Sequence, residues 1–145
     1  MVSILIVDDE RPIRQVLARW LSDAGYRTAE ADGADAAMAS MAAESSAVVL
    51  CDVQMPGHDG LWLTRQLRAQ HPATAIVLVT GITTVPPSMS MQDGVLAYLV
   101  KPFKRETLLE AVQQGVKWHE QALASGERAA TSEELDRWLD RLEKG

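Results

Sequence analysis

Apolar residues cluster in runs of four to six that are separated by stretches with helical spacing. Ile4-Leu5-Ile6-Val7 runs straight into Asp8-Asp9-Glu10, Val48-Val49-Leu50-Cys51 ends in Asp52, Ile76-Val77-Leu78-Val79 ends in Thr80, and Leu96-Ala97-Tyr98-Leu99-Val100 ends in Lys101-Pro102. Short apolar runs bounded by polar residues predict strands buried on both faces. The strands are expected at Ser3 to Val7, Tyr26 to Glu30, Val48 to Asp52, Ala75 to Thr80 and Leu96 to Val100. The second is short and mixed in character, which suggests a sheet edge.

Between the strands the apolar period lengthens to that of a helix. Pro12 suits a first helical turn because it needs no N–H partner, Ile13, Val16, Leu17, Trp20 and Leu21 form one stripe, and Gly25 is placed to end that helix. A second helix carries Ala36, Ala37, Met38 and Met41, a third Leu61, Leu63 and Leu67, and the last begins near Arg105 with Leu108, Leu109, Val112 and Val116. Alternating strands and helices imply an α/β fold, a parallel sheet with helices on both faces. Between Thr80 and Leu96 the pair Pro86-Pro87 delays any helix to about Ser88.

In an open parallel sheet the ligand site lies at the carboxyl ends of the strands. Three acids and a lysine then converge at one edge, an acidic pocket for a hard divalent cation with a nucleophile and a counter-charge beside it. Each element has an ordinary reading when taken alone. An Asp pair after a strand can be a helix N-cap, a lone Asp a turn residue, Thr80 a strand residue and Lys-Pro a loop start.

Together, Asp8-Asp9, Asp52 in Asp52-Val53-Gln54-Met55-Pro56-Gly57-His58-Asp59-Gly60, Thr80 and Lys101-Pro102-Phe103 make the chain resemble the receiver domain of two-component response regulators. The resemblance covers about residues 3 to 122. It implies a flavodoxin-like, doubly wound five-stranded parallel sheet in the order 2-1-3-4-5. It implies that Asp52 is the phosphoacceptor, and that Mg2+ is held by Asp9 directly, Asp8 largely through water, Asp52 and the backbone carbonyl of Gln54. Lys101 would pair with the acceptor and then the phosphoryl group, Thr80 would bond a phosphoryl oxygen, and Tyr98 would move with Thr80. A cis peptide is implied at Lys101-Pro102. The phosphoryl donor would be a sensor histidine kinase or histidine phosphotransfer protein, and the domain would be a signalling switch, not a metabolic enzyme.

Composition narrows the remaining classes. The net charge of −6 comes without a lysine or arginine cluster, which gives direct nucleic-acid binding little electrostatic support. The single cysteine excludes an intramolecular disulfide and suits a reducing, cytoplasmic setting. No apolar stretch is long enough to span a bilayer. Cys51 reads as a buried structural thiol, and His58, His71 and His119 lack metal-site spacing and read as solvated. A haloacid-dehalogenase-type phosphohydrolase needs an Asp two residues after its nucleophile, where Glu10 stands. A flavin protein of this fold would have its cofactor phosphate repelled by Asp8-Asp9-Glu10. A phosphorylation-independent scaffold would have lost pocket residues.

Residues 1–122 are expected to form the receiver and 123–145 a short C-terminal helical extension or linker. In the latter, Thr131-Ser132-Glu133-Glu134 resembles a capping box, and Leu135, Trp138, Leu139 and Leu142 form one stripe. That helix, or the face made by the fifth strand and its flanking helices, is the expected surface for a homodimer or for output through protein contacts.

Overall fold

The computed structural model describes residues 2–81 and 95–125. Strands β1 (Ser3–Val7), β2 (Arg27–Ala31), β3 (Val48–Asp52), β4 (Ala75–Thr80) and β5 (Val95–Val100) alternate with helices α1 (Arg11–Asp23), α2 (Ala34–Ala43) and α3 (Gly60–Gln70), and α4 (Arg105–Ser125) follows β5. The five strands form one sheet in the order β2-β1-β3-β4-β5, and every neighbouring pair is parallel. This is the topology expected from the sequence. The expected helix after Pro86-Pro87 and the stripe from Leu135 to Leu142 lie outside the described residues. Helix α4 runs without a break through Ser125.

Alternation along the strands divides the core in two. Leu5, Val7, Val49, Cys51, Ile76 and Leu78 point to one face, where Ala37 and Met41 of α2 and Leu63 and Leu67 of α3 cover them. Ile4, Ile6, Val48, Leu50, Val77 and Val79 point to the other, under Leu17 and Leu21 of α1 and Leu108, Ala111 and Val112 of α4. All of β3 and β4 is buried, which is why those two strands read as unbroken apolar runs.

Three boundaries differ from the sequence expectation by one residue: β2 runs from Arg27 to Ala31 and not from Tyr26 to Glu30, and β5 starts at Val95 and not Leu96. Val16 is not part of the buried stripe of α1; it is 48% exposed, while Leu17 and Leu21 are buried and Ile13 and Trp20 pack at the margin. At about 100° per residue, Val16 stands a quarter-turn round from Leu17, beyond the edge of the contact. Gly25 follows α1 with φ +97, a conformation that favours glycine. His119 is not a solvated histidine: its Nδ1 lies 2.6 Å from the Ala73 carbonyl oxygen and ties α4 to the turn before β4. Beside it the Arg68 guanidinium lies over the Trp118 ring and donates to the Pro72 and Thr74 carbonyls.

Candidate functional site

Parallel order with β1 beside β3 places Asp8 and Asp52 at adjacent strand ends. Both are nearly buried, Asp8 2% and Asp52 6% exposed. Lys101, just past β5, reaches across the sheet edge: its Nζ donates to Asp52 Oδ2 at 2.9 Å and to Asp8 Oδ2 at 3.1 Å. The Lys101 backbone N–H donates to the Thr80 carbonyl at 2.7 Å, which docks the start of this loop on the end of β4. The Lys101-Pro102 peptide is cis.

Each carboxylate is also held by a local backbone donor. The Gln54 N–H donates to Asp52 Oδ1 at 3.0 Å, and the Glu10 N–H donates to Asp8 Oδ1 at 2.8 Å. Burial pushes the Asp52 carboxyl above its ordinary range, against the Lys101 and Gln54 hydrogen bonds that pull it down. Burial lowers the Lys101 ammonium, but the hydrogen bonds to Asp52 and Asp8 outweigh it and leave the group above its usual value. Lys101 is therefore held in its charged form, while burial works against the charge on Asp52.

Asp9 and Glu10 are exposed and, with Asp8, offer carboxylate oxygens within 4.8 Å of one another. Hard divalent cations take oxygen ligands, and Mg2+ keeps several waters among them. An all-carboxylate cluster open on its Asp9–Glu10 side fits such an ion. Glu10 was not among the ligands expected from the sequence, although it continues the acidic run; its signal was adjacency to the pair.

Thr80 and Tyr98 form a second constellation. Thr80 is buried at the end of β4. Tyr98, on β5, is partly buried; burial raises its phenol, and the neighbouring Thr80 side chain opposes that shift. The structure thus joins Asp8, Asp52 and Lys101 directly and sets Thr80 beside Tyr98.

The β3–α3 loop is fixed at its far end. Asp59 caps α3 by accepting the Trp62 N–H at 2.9 Å. Gly60 passes so close to β3 that a Cβ there would stand 2.5 Å from the Asp52 carbonyl oxygen and 2.8 Å from Val53 Cα. His58 stacks on Trp62 with ring centroids 3.8 Å apart. Cys51 points into the core on the α2–α3 face, where burial pushes its thiol far up.

The profile of the family described as Response regulator receiver domain matches residues 4–113. The chain belongs to the response regulator receiver domain family. It is 32% identical over 113 residues to the C4-dicarboxylate transport transcriptional regulatory protein DctD of Rhizobium meliloti, covering 77% of this chain and 25% of that protein. It is 36% identical over 111 residues to the response regulator protein FleR of Pseudomonas aeruginosa, covering 76% of this chain and 24% of that one. The chain therefore spans about a quarter of the length of these curated relatives. Among solved structures, a CheY-like response regulator receiver domain protein from Methanospirillum hungatei superposes with a TM-score of 0.76 at 28% identity, over 83% of this chain and 98% of that one. NtrX from Brucella abortus gives a TM-score of 0.76 at 29% identity, over 86% of this receiver and 29% of the NtrX chain. Among the described residues no helix is long and apolar enough to cross a membrane.

Proposed function

We propose that this receiver is a phosphorylation-controlled switch in which Asp52 takes a phosphoryl group from a phosphohistidine of a sensor histidine kinase or histidine phosphotransfer protein. The observation that carries the reading is the Lys101 ammonium lying between the two buried carboxylates, Asp52 and Asp8. Phosphoryl transfer is mostly positioning and charge neutralisation, and this arrangement supplies both.

An Asp52 carboxylate oxygen attacks the phosphorus, the P–N bond to the donor imidazole breaks, and the imidazole leaves with the nitrogen's electron pair. The product is an acyl phosphate. Lys101 passes from the carboxylate to a phosphoryl oxygen as the charge moves there, and the Thr80 hydroxyl bonds another. Asp8, Asp9, Asp52 and the Gln54 carbonyl would hold Mg2+, with Glu10 close enough to contribute. A bound Mg2+ would offset negative charge on the phosphoryl oxygens. Engagement of Thr80 by the phosphoryl group draws its side chain away from the neighbouring Tyr98, so the ring is freed to change the surface around β5. A switch of this kind needs an element with two arrangements that the modification favours unequally.

The domain catalyses only its own phosphorylation and dephosphorylation, in the cytoplasm, and its output passes through protein contacts, including a second copy at the β5 face or the C-terminal segment. With a net charge of −6 the chain offers DNA little attraction. Intact-mass measurement after incubation with acetyl phosphate tests the reading. One added phosphoryl group on the wild type in Mg2+, and none in excess chelator or on Asp52→Asn, is the expected result. Equal labelling of the wild type and Asp52→Asn would overturn it.

A further inference from the structure

Arg14, on the first turn of α1, takes no part in the chemistry described above, yet it is built into the acidic cluster. Its Nη1 donates to the Asp8 backbone carbonyl at 2.7 Å, and its Nε lies 3.3 Å from Glu30 Oε1 near the end of β2. The side chain is only 14% exposed. On the other side of the same residue, the Asp8 N–H donates to the Ala31 carbonyl at 3.2 Å. Asp8 is thus held through its N–H by β2, through its carbonyl by Arg14, and through its carboxylate by the Glu10 N–H and Lys101.

We propose that Arg14 is a positioning residue for the cation site: by fixing the Asp8 carbonyl it sets the plane of the Asp8–Asp9 peptide and so the place of the Asp9 carboxylate. A peptide unit is planar, so holding its oxygen orients its N–H and the Cα that follows. Asp9 is exposed, and the bonds that fix its neighbour are therefore what keep its carboxylate near those of Asp8 and Glu10. Glu30 completes the device by steadying the guanidinium. Arginine suits the task because its planar fork serves the carbonyl with one edge and the carboxylate with another. The proposal rests on the receiver reading of the site, and it adds a residue which that reading does not contain.

Positioning and plain electrostatics give opposite signs. A guanidinium beside a cation site repels the cation, so if charge were its only effect, removing it would tighten binding. If Arg14 positions Asp9, removing it weakens binding despite the relief of repulsion. Arg14→Lys keeps the charge and loses the fork; Arg14→Met loses both.

The test is titration of the full chain with Mg2+ alone by calorimetry, for wild type, Arg14→Lys, Arg14→Met, Glu30→Gln and Asp9→Asn, with melting curves in chelator. Partners that orient metal ligands typically account for about 10–100-fold in affinity. We expect about tenfold weaker Mg2+ binding for both Arg14 variants, a smaller loss for Glu30→Gln, and loss of binding for Asp9→Asn. Tighter binding by Arg14→Met with Arg14→Lys unchanged would overturn the inference in favour of simple repulsion. Unchanged affinity in both Arg14 variants, whatever their melting temperatures, would overturn it in favour of a purely structural ion pair. Absence of Mg2+ binding by the wild type would instead bring down the reading of the site itself, and the inference with it.

Discussion

Replacing Lys101 by Met keeps most of the aliphatic stem but removes the only charge donated to both Asp8 Oδ2 and Asp52 Oδ2 among the hydrogen bonds described here. Two carboxylates with side chains 3% and 8% exposed are then left at adjacent strand ends without their ammonium. At an effective dielectric of about 20, each contact near 3 Å is worth roughly 5 kcal/mol of attraction before the cost of removing the lysine from water. Breaking a buried pair by deleting one partner costs about 3–5 kcal/mol. Lys101 is 21% exposed, so solvent screens part of this, and the lower end is appropriate. A loss of about 3 kcal/mol at pH 7 corresponds to a fall in Tm of roughly 10 °C in a domain of this size.

The pH dependence has a definite sign. Burial already raises the Asp52 carboxyl above its ordinary 3.8, and loss of Lys101 raises it further. An acid whose pKa is higher folded than unfolded destabilises the fold as pH rises through the folded value. Lys101→Met should therefore recover stability as pH falls from 7 toward the carboxylate range. In the wild type Lys101 lies above its ordinary 10.5, so its contribution is complete below that pH and is lost as pH rises through the folded value. A divalent cation should stabilise the variant more than the wild type, because it replaces the missing charge. Thermal melts of both proteins across pH, with and without Mg2+, make the comparison. Equal stability at pH 7, with the variant showing no gain on acidification, would refute the claim that Lys101 neutralises a buried acid pair.

Two other outcomes follow from the same geometry. Gly60→Ala should lose about 1–3 kcal/mol despite the better helix propensity of alanine, because its Cβ would meet the Asp52 carbonyl; chemical denaturation measures it. Hydrogen exchange over residues 95–105 should change when a beryllofluoride phosphate mimic is added to the wild type, and change far less in Thr80→Ala, since the adjacent Thr80 and Tyr98 side chains are the link expected to respond.

The sequence revealed most clearly what the fold buries most completely. Strands β3 and β4 are covered on both faces, so their runs were readable to the residue, and the acids and the threonine that follow such runs fell at one sheet edge. Strand β2 is an edge strand with mixed burial, and its start was displaced by one residue. Val16 was misplaced because a helical period gives the direction of a stripe but not the width of the surface it meets. The roles of Arg14 and His119 were not legible. Both bond backbone carbonyls remote in sequence or on another element, and a carbonyl carries no side-chain signature. Glu10 was within reach, since three consecutive acids after a strand offer a third ligand as readily as a pair.

The proposed nucleophile is Asp52, at the end of β3, and not an acid at the end of β1. Borohydride reduces an acyl phosphate to the alcohol, so a phosphorylated aspartate is recovered as homoserine at its own position. After treatment with acetyl phosphate and Mg2+ and then borohydride, peptide sequencing by mass spectrometry should find homoserine at position 52 and unchanged aspartate at positions 8 and 9. Homoserine at position 8 or 9, or none anywhere in a chain that binds Mg2+, would overturn the assignment of Asp52.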